Sequence, residues 1–151
     1  MPEFRFHHLE RLRLDQALPL MLEAALAEGL RVVVQAPTRE ARDAINDRLW
    51  TFREDSFLPH GGPGDGDPAT QPIFLTETDE APNGGALRVL LNPADAMRFV
   101  GAEPERVVVL FDSRDEEAMA AARTAWKALR DAGAAPSYWR EGEEGGWVKA
   151  R

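Results

Sequence analysis

Arg31-Val32-Val33-Val34-Gln35-Ala36-Pro37-Thr38 decides how the rest of the chain is read. Its β-branched run shows no apolar–polar alternation, the pattern of a strand buried on both faces. Pro37 lacks a backbone donor and stops the strand, and the Thr38 hydroxyl can cap a following helix. In that helix Ala41, Ile45 and Leu49 share a face and lead to Trp50. Upstream, Leu14 to Gly29 reads as another helix, with Leu14, Leu18, Met21, Leu22 and Ala25 on one stripe and Gly29 as its C-terminal cap. Pro19 interrupts the stripe, so this helix is expected to start near Leu18 or to kink there. Residues 3–9 alternate apolar and polar at their start and predict a short edge strand. Strand, helix, strand and helix within fifty residues argue for a mostly parallel sheet flanked by helices, an α/β fold.

The remainder continues this rhythm. Pro72 to Thr76, Leu87 to Asn92 and Arg106 to Asp112 are strand candidates, the last a central one. Pro93 to Val100 reads as one or two helical turns, and Arg114 to Ala132 as an alanine-rich helix ending at Gly133. Tyr138-Trp139 and Trp147-Val148 predict a final strand or hairpin across the polar turn Glu141 to Gly146. With 151 residues and no linker or repeat, residues 1–151 are expected to form one domain with a substantial core.

Composition excludes several classes of function. The chain has no cysteine, so disulfides, thiolate metal sites and cysteine nucleophiles are out of reach. His7 and His8 point to opposite faces of a strand and cannot grip one metal together. No apolar run approaches about 18 residues, and the N-terminus lacks the features of a signal peptide. The expectation is a soluble, cytoplasmic protein with no membrane partner. Twenty-six acidic against 18 basic residues leave a charge of −8, which disfavours tight contact with a phosphate backbone. Gly61 to Pro68 is rich in glycine, but it has no Gly-Lys-Ser/Thr ending and carries aspartates that would repel phosphate.

Two stretches stand out. In Leu49 to His60, Trp50, Phe52 and Phe57 are crowded together and Pro59 shapes the corner, giving either a core plug or an aromatic patch that a partner covers. In the late helix Met119, Ala122, Trp126 and Leu129 can face the sheet. Arg123, Lys127 and Arg130 fall at about 0°, 40° and −20° around its axis, with Trp126 at about −60°. A cationic stripe beside an indole suits an acidic peptide with an apolar end. The plainer account is a solvated face whose cations favour the helix C-terminus.

Leu49-Trp50 is followed by Ser56-Phe57-Leu58-Pro59-His60, Gln71-Pro72-Ile73, and Asn92 after a strand. Arg106-Val107-Val108 then precedes Leu110-Phe111-Asp112, and Ala122-Arg123-Thr124-Ala125-Trp126-Lys127 is followed by Tyr138-Trp139 and Gly146-Trp147. In this order and spacing the series resembles the chi subunit family of bacterial DNA polymerase III, over essentially the whole chain. The resemblance implies a Rossmann-like α/β domain with no catalytic residues, cofactor or metal, acting as an accessory subunit of the clamp-loader complex. It implies a partner in the acidic C-terminal tail of single-stranded-DNA-binding protein, which ends in aspartates followed by Ile-Pro-Phe. Arg123, Trp126 and Lys127 occupy the tail-binding positions, and Arg130 extends the same stripe. The psi subunit or its equivalent is the second implied partner, at Phe57 and, by extension, Trp50 and Leu58. Greater acidity and the glycine- and aspartate-rich 61–70 loop depart from the family pattern. The competing reading is a small α/β enzyme or nucleotide-binding domain with a site at the C-terminal ends of its strands. Asp112 would sit there, but no base or nucleophile partner is evident at matching spacing, and capping the next helix is its expected role.

Overall fold

The computed structural model describes residues 2–51, 59–102, 104–143 and 146–151, with Trp50 described by its backbone alone. The described strands are β1 (Glu3–Leu9), β2 (Val32–Gln35), β3 (His60–Gly61), β4 (Ile73–Thr76), β5 (Leu87–Leu90), β6 (Arg106–Asp112), β7 (Ser137–Glu141) and β8 (Trp147–Lys149). They join one sheet in the order β3-β4-β2-β5-β6-β1-β7-β8, parallel throughout except for the β7–β8 hairpin. The helices are α1 (Leu14–Ala27), α2 (Arg39–Trp50) and α3 (Glu116–Asp131), with 3-10 segments at Pro68–Thr70 and Pro93–Phe99. The α/β architecture read from the sequence holds.

Each face of the sheet carries its own core. Leu18, Leu22 and Ala25 of α1 and Leu49 of α2 pack against Val32, Val34, Ile73, Leu75, Val89, Val108 and Leu110. On the other face Ala122, Ala125 and Leu129 of α3, with Ala96 and Phe99, cover Phe4, Phe6, Val107, Val109 and Phe111. Burial on both faces is why β2, β4, β5 and β6 read as near-continuous apolar runs.

Local signals explain the helix boundaries. Thr38 Oγ1 accepts from the Ala41 amide at 3.1 Å, capping α2. Helix α1 begins at Leu14, which corrects the later start, and continues past Pro19. Proline removes the bond to the carbonyl four residues back, here that of Asp15. That oxygen accepts instead from Arg48 Nε at 3.2 Å, so a residue of α2 compensates the gap. Gly29, at φ +78°, ends α1 while the Leu30 amide returns to Ala25 O at 3.1 Å.

Strand β1 is not at an edge, because it pairs with β6 on one side and β7 on the other. The early alternation has another origin. Phe4 and Phe6 enter the α3-side core, whereas Arg5 and His7 line a groove on the opposite side.

The β4–β5 connection is a loop without a helix, and its carbonyls need donors. Arg88 of β5, 1% exposed, provides them. Its guanidinium donates to Gln35 Oε1 at 2.5 Å, Asp79 O at 3.0 Å, Glu80 O at 2.6 Å and, more weakly, Thr78 O at 3.4 Å, and lies 4.7 Å from the Phe99 ring centre. Burial lowers its pKa to about 10, still a cation at neutral pH. Asn83 closes the far end of the loop, donating to Val32 O and Gln71 O while accepting from the Gly85 amide.

Glu141 joins β7 to the turn after β1, taking the amides of Glu10, Arg11 and Leu12 at 2.9, 3.2 and 3.3 Å. Burial pushes its carboxyl up, but these donors and Arg11 outweigh it and hold the group below its ordinary value of 4.5. Such a depressed carboxylate stabilises the fold above the unfolded-state pKa, and that stabilisation is lost as pH falls through the folded value. Glu141→Gln is expected to cost about 1–3 kcal/mol at pH 7. The gap to wild type should narrow as urea unfolding is repeated at steps below pH 4.5; a constant gap would show that ionisation is irrelevant.

Candidate functional site

Helix α3 starts at Asp115, whose carboxylate accepts from the Glu117 and Ala118 amides at 3.0 and 3.2 Å. Asp112 is therefore not the cap expected from the sequence. It accepts from the Arg114 amide at 2.9 Å and holds the Arg114 guanidinium through Nε at 2.8 Å and a second nitrogen at 2.9 Å. The same guanidinium reaches Leu12 O at 2.8 Å. The hydrogen bond from Arg114 is the main cause holding Asp112 below the usual carboxylate range. An acid committed in this way pins a turn and is poorly placed to act as a catalytic base.

Alanines at 122 and 125 let α3 lie close to the sheet, with Leu129 completing its buried face. Trp126 and Met119 fall at the border between this face and the solvent face, and both are half-buried. Trp126 meets Phe6 edge-on at 5.4 Å and Tyr138 edge-on at 5.9 Å. Phe111 completes the cluster, 6.4 Å from both Phe6 and Tyr138. Together with Met119 and Ala122 these rings line an open cleft of about 420 Å³, rimmed by Arg123, Arg140 and Arg151.

Behind the cleft, Arg140 pairs with Glu10 at 2.6 Å, Glu10 faces His8 Nε2 at 3.2 Å, and His8 Nδ1 bonds the Tyr138 hydroxyl. Burial is the largest influence on His8 and lowers its pKa, with Glu10 opposing. A neutral His8 donating to Glu10 and accepting from Tyr138 satisfies all three groups. The chain of contacts fixes the Tyr138 ring that forms one wall.

The predicted site residues separate into groups. Arg123 and Trp126 both line the cleft; Lys127 and Arg130 are exposed along the same helix, outside its lining. None of the three cations has an ion pair or side-chain hydrogen bond among the described residues, in contrast with Arg11, Arg42, Arg98, Arg114 and Arg140. Phe57 and Leu58 lie outside the described residues, as does the side chain of Trp50. Leu18 and Pro19 of α1 and Ile45, Arg48 and Leu49 of α2 line a second depression of about 430 Å³.

His8, Arg140 and Arg151 were not singled out for this cleft from the sequence. Tyr138 and Arg140 are two apart on a strand and so share a face, a period-2 signal that was there to be used. Nothing local marks Arg151.

Residues 1–137 match the family described as DNA polymerase III chi subunit, HolC. The chain belongs to this family. A curated relative, the probable DNA polymerase III subunit chi of Rickettsia prowazekii (strain Madrid E), is 24% identical over 117 residues, covering 74% of this chain and 71% of the relative. Membership makes the protein an accessory replication subunit of a DNA polymerase III complex. The family match includes Arg123, Trp126, Lys127 and Arg130 and ends just before Tyr138, where the second wall of the cleft begins. Among the described residues no helix is long and apolar enough to cross a membrane, and no group of acidic or histidine side chains could hold a metal.

Proposed function

We propose that this chi-family chain is a non-catalytic, cytoplasmic linker between the clamp-loader complex and single-stranded-DNA-binding protein. It grips that protein's acidic C-terminal tail at α3. The observation carrying this reading is the pairing of an aromatic cleft with cations beside it that have no partner among the described residues. The terminal Phe of the tail enters the cleft that Trp126 and Tyr138 line, and its α-carboxylate meets Arg123 with Arg151 across the rim. The aspartates upstream run along Lys127 and Arg130. Guanidinium groups suit this task because they hold a carboxylate through two parallel hydrogen bonds. The psi subunit or its equivalent takes the surface at Trp50, Phe57 and Leu58. The net charge of −8 opposes approach of an acidic peptide, so affinity is modest and rests on local charge.

Calorimetric titration with an acidic peptide ending in Ile-Pro-Phe tests the tail site. Arg123→Ala is expected to weaken binding by about 1–3 kcal/mol without lowering the melting temperature, and amidation of the peptide terminus should act in the same direction. Equal affinity for wild type, variant and amidated peptide would place the tail elsewhere.

A further inference from the structure

The opposite side of the sheet carries a larger and separate concavity. Helices α1 and α2 pack over β6 and β4 on this side. Beyond them a groove of about 560 Å³ opens between α1 and the hairpin residue Trp147, with β1 and β6 as its floor. Leu20 and Met21 of α1 form one apolar wall and Trp147 the other, and Leu20 is exposed although it is a large hydrophobe.

The floor is unusual for so apolar a groove, because it carries Arg5, His7 and Arg106. His7 is 5% exposed, stacked parallel to Trp139 at 5.8 Å and met edge-on by Trp147 at 4.5 Å. Neither of its ring nitrogens has a hydrogen-bond partner among the described residues, and Arg106 Nε is likewise buried and without one. Buried polar groups are ordinarily satisfied, so three such atoms on two residues that line one groove call for an explanation. Burial, reinforced by Arg5 and Arg106, lowers the His7 pKa to about 3, so its imidazole is neutral and keeps one N–H to donate.

Charge at the floor favours an acceptor. The Glu3 carboxylate serves both Arg5, at 2.5 Å, and Arg106, at 3.7 Å, which leaves one positive charge in excess. Of the other acids lining the groove, Glu141 is engaged by backbone amides and Arg11, and Glu28 and Glu143 lie exposed. A groove of this volume, apolar with a few convergent polar groups, has the character of a small-molecule site.

We propose that this groove binds a small molecule with a flat apolar body and a carboxylate head. The body lies between α1 and Trp147, and the head reaches Arg5, Arg106 and the His7 imidazole.

Ligand-observed NMR titration of the intact protein with 2-naphthoate, against its neutral analogue 2-naphthamide, tests the assignment. The acid is expected to bind at least tenfold more tightly than the amide. His7→Phe and Arg106→Gln should each weaken the acid at least tenfold, and Arg123→Ala should leave it unchanged. His7→Phe should also melt no lower than wild type, since it removes unpartnered polar atoms, and should still bind the acidic tail peptide. If His7→Phe does not fold, Arg106→Gln, verified by circular dichroism, carries the test. Absence of naphthoate binding, equal binding of acid and amide, or a loss caused by Arg123→Ala and not by the groove variants would overturn the proposal.

Discussion

Arg88→Ala lowers the unfolding free energy by about 3–5 kcal/mol, the range expected when one member of a buried charged network is removed. For a chain of this size that corresponds to a fall in melting temperature of roughly 6–20 °C. Two effects combine. The guanidinium holds Gln35 Oε1 and the carbonyls of Asp79 and Glu80, with Thr78 O more weakly, so truncation strands buried acceptors. It also removes the stem that packs on Phe99. Arg88→Met separates the two, because it restores most of the volume but none of the donors; it should recover less than half of the loss. Gln35→Ala in the Arg88→Ala background should cost less than Gln35→Ala alone, since the residues share a bond. Urea unfolding of the wild type and these four variants is the measurement. A loss below about 1 kcal/mol for Arg88→Ala would mean that the 77–82 loop finds other donors.

Reversing the stripe, with Arg123→Glu and Lys127→Glu together, is expected to abolish the proposed tail binding in calorimetry, a weakening of more than about a hundredfold. On the proposed site, each substitution would remove a charge-assisted contact worth about 1.5–3 kcal/mol and set a carboxylate against the acidic peptide. Folding should be unaffected, because both side chains are exposed and unpaired among the described residues. Raising salt should weaken the wild-type complex and leave the reversed variant uniformly poor. Retained binding in the double variant would remove α3 from the proposed tail site.

How much of this was legible depended on whether the signal was local. The run Val32-Val33-Val34 announced a buried parallel strand because a strand covered on both faces has no polar side to alternate with. Thr38 and Gly29 marked helix ends through their own backbone chemistry. The helical angles of α3 separated Ala122 and Leu129 from Arg123, Lys127 and Arg130, with Trp126 between them. The ordered motifs led to the chi family, to which the chain belongs.

Other readings failed because their cause lay far along the chain. Alternation in β1 looked like an edge, but β7, more than 130 residues later, closes that side, and the polar positions face a groove. Pro19 looked like a break until α2 brought Arg48 to the carbonyl it frees. Asp112 and Asp115 are equally plausible caps three residues apart, and Arg114 takes the first.

By itself, then, the sequence determined the α/β class, most element positions, the cationic face of α3 and the family. Each follows from periodicity, capping chemistry or motif order, which act over a few residues or survive as a pattern. Only the tertiary structure decided that Tyr138, Arg140 and Arg151 join Trp126 around one cleft, and that Arg5, His7 and Arg106 share another. It also decided that Arg88, unremarked within an apolar strand, holds the loop that replaces a crossover helix. These depend on strand order, and strand order is set by how both faces of the sheet find cover, a property of the whole packed chain.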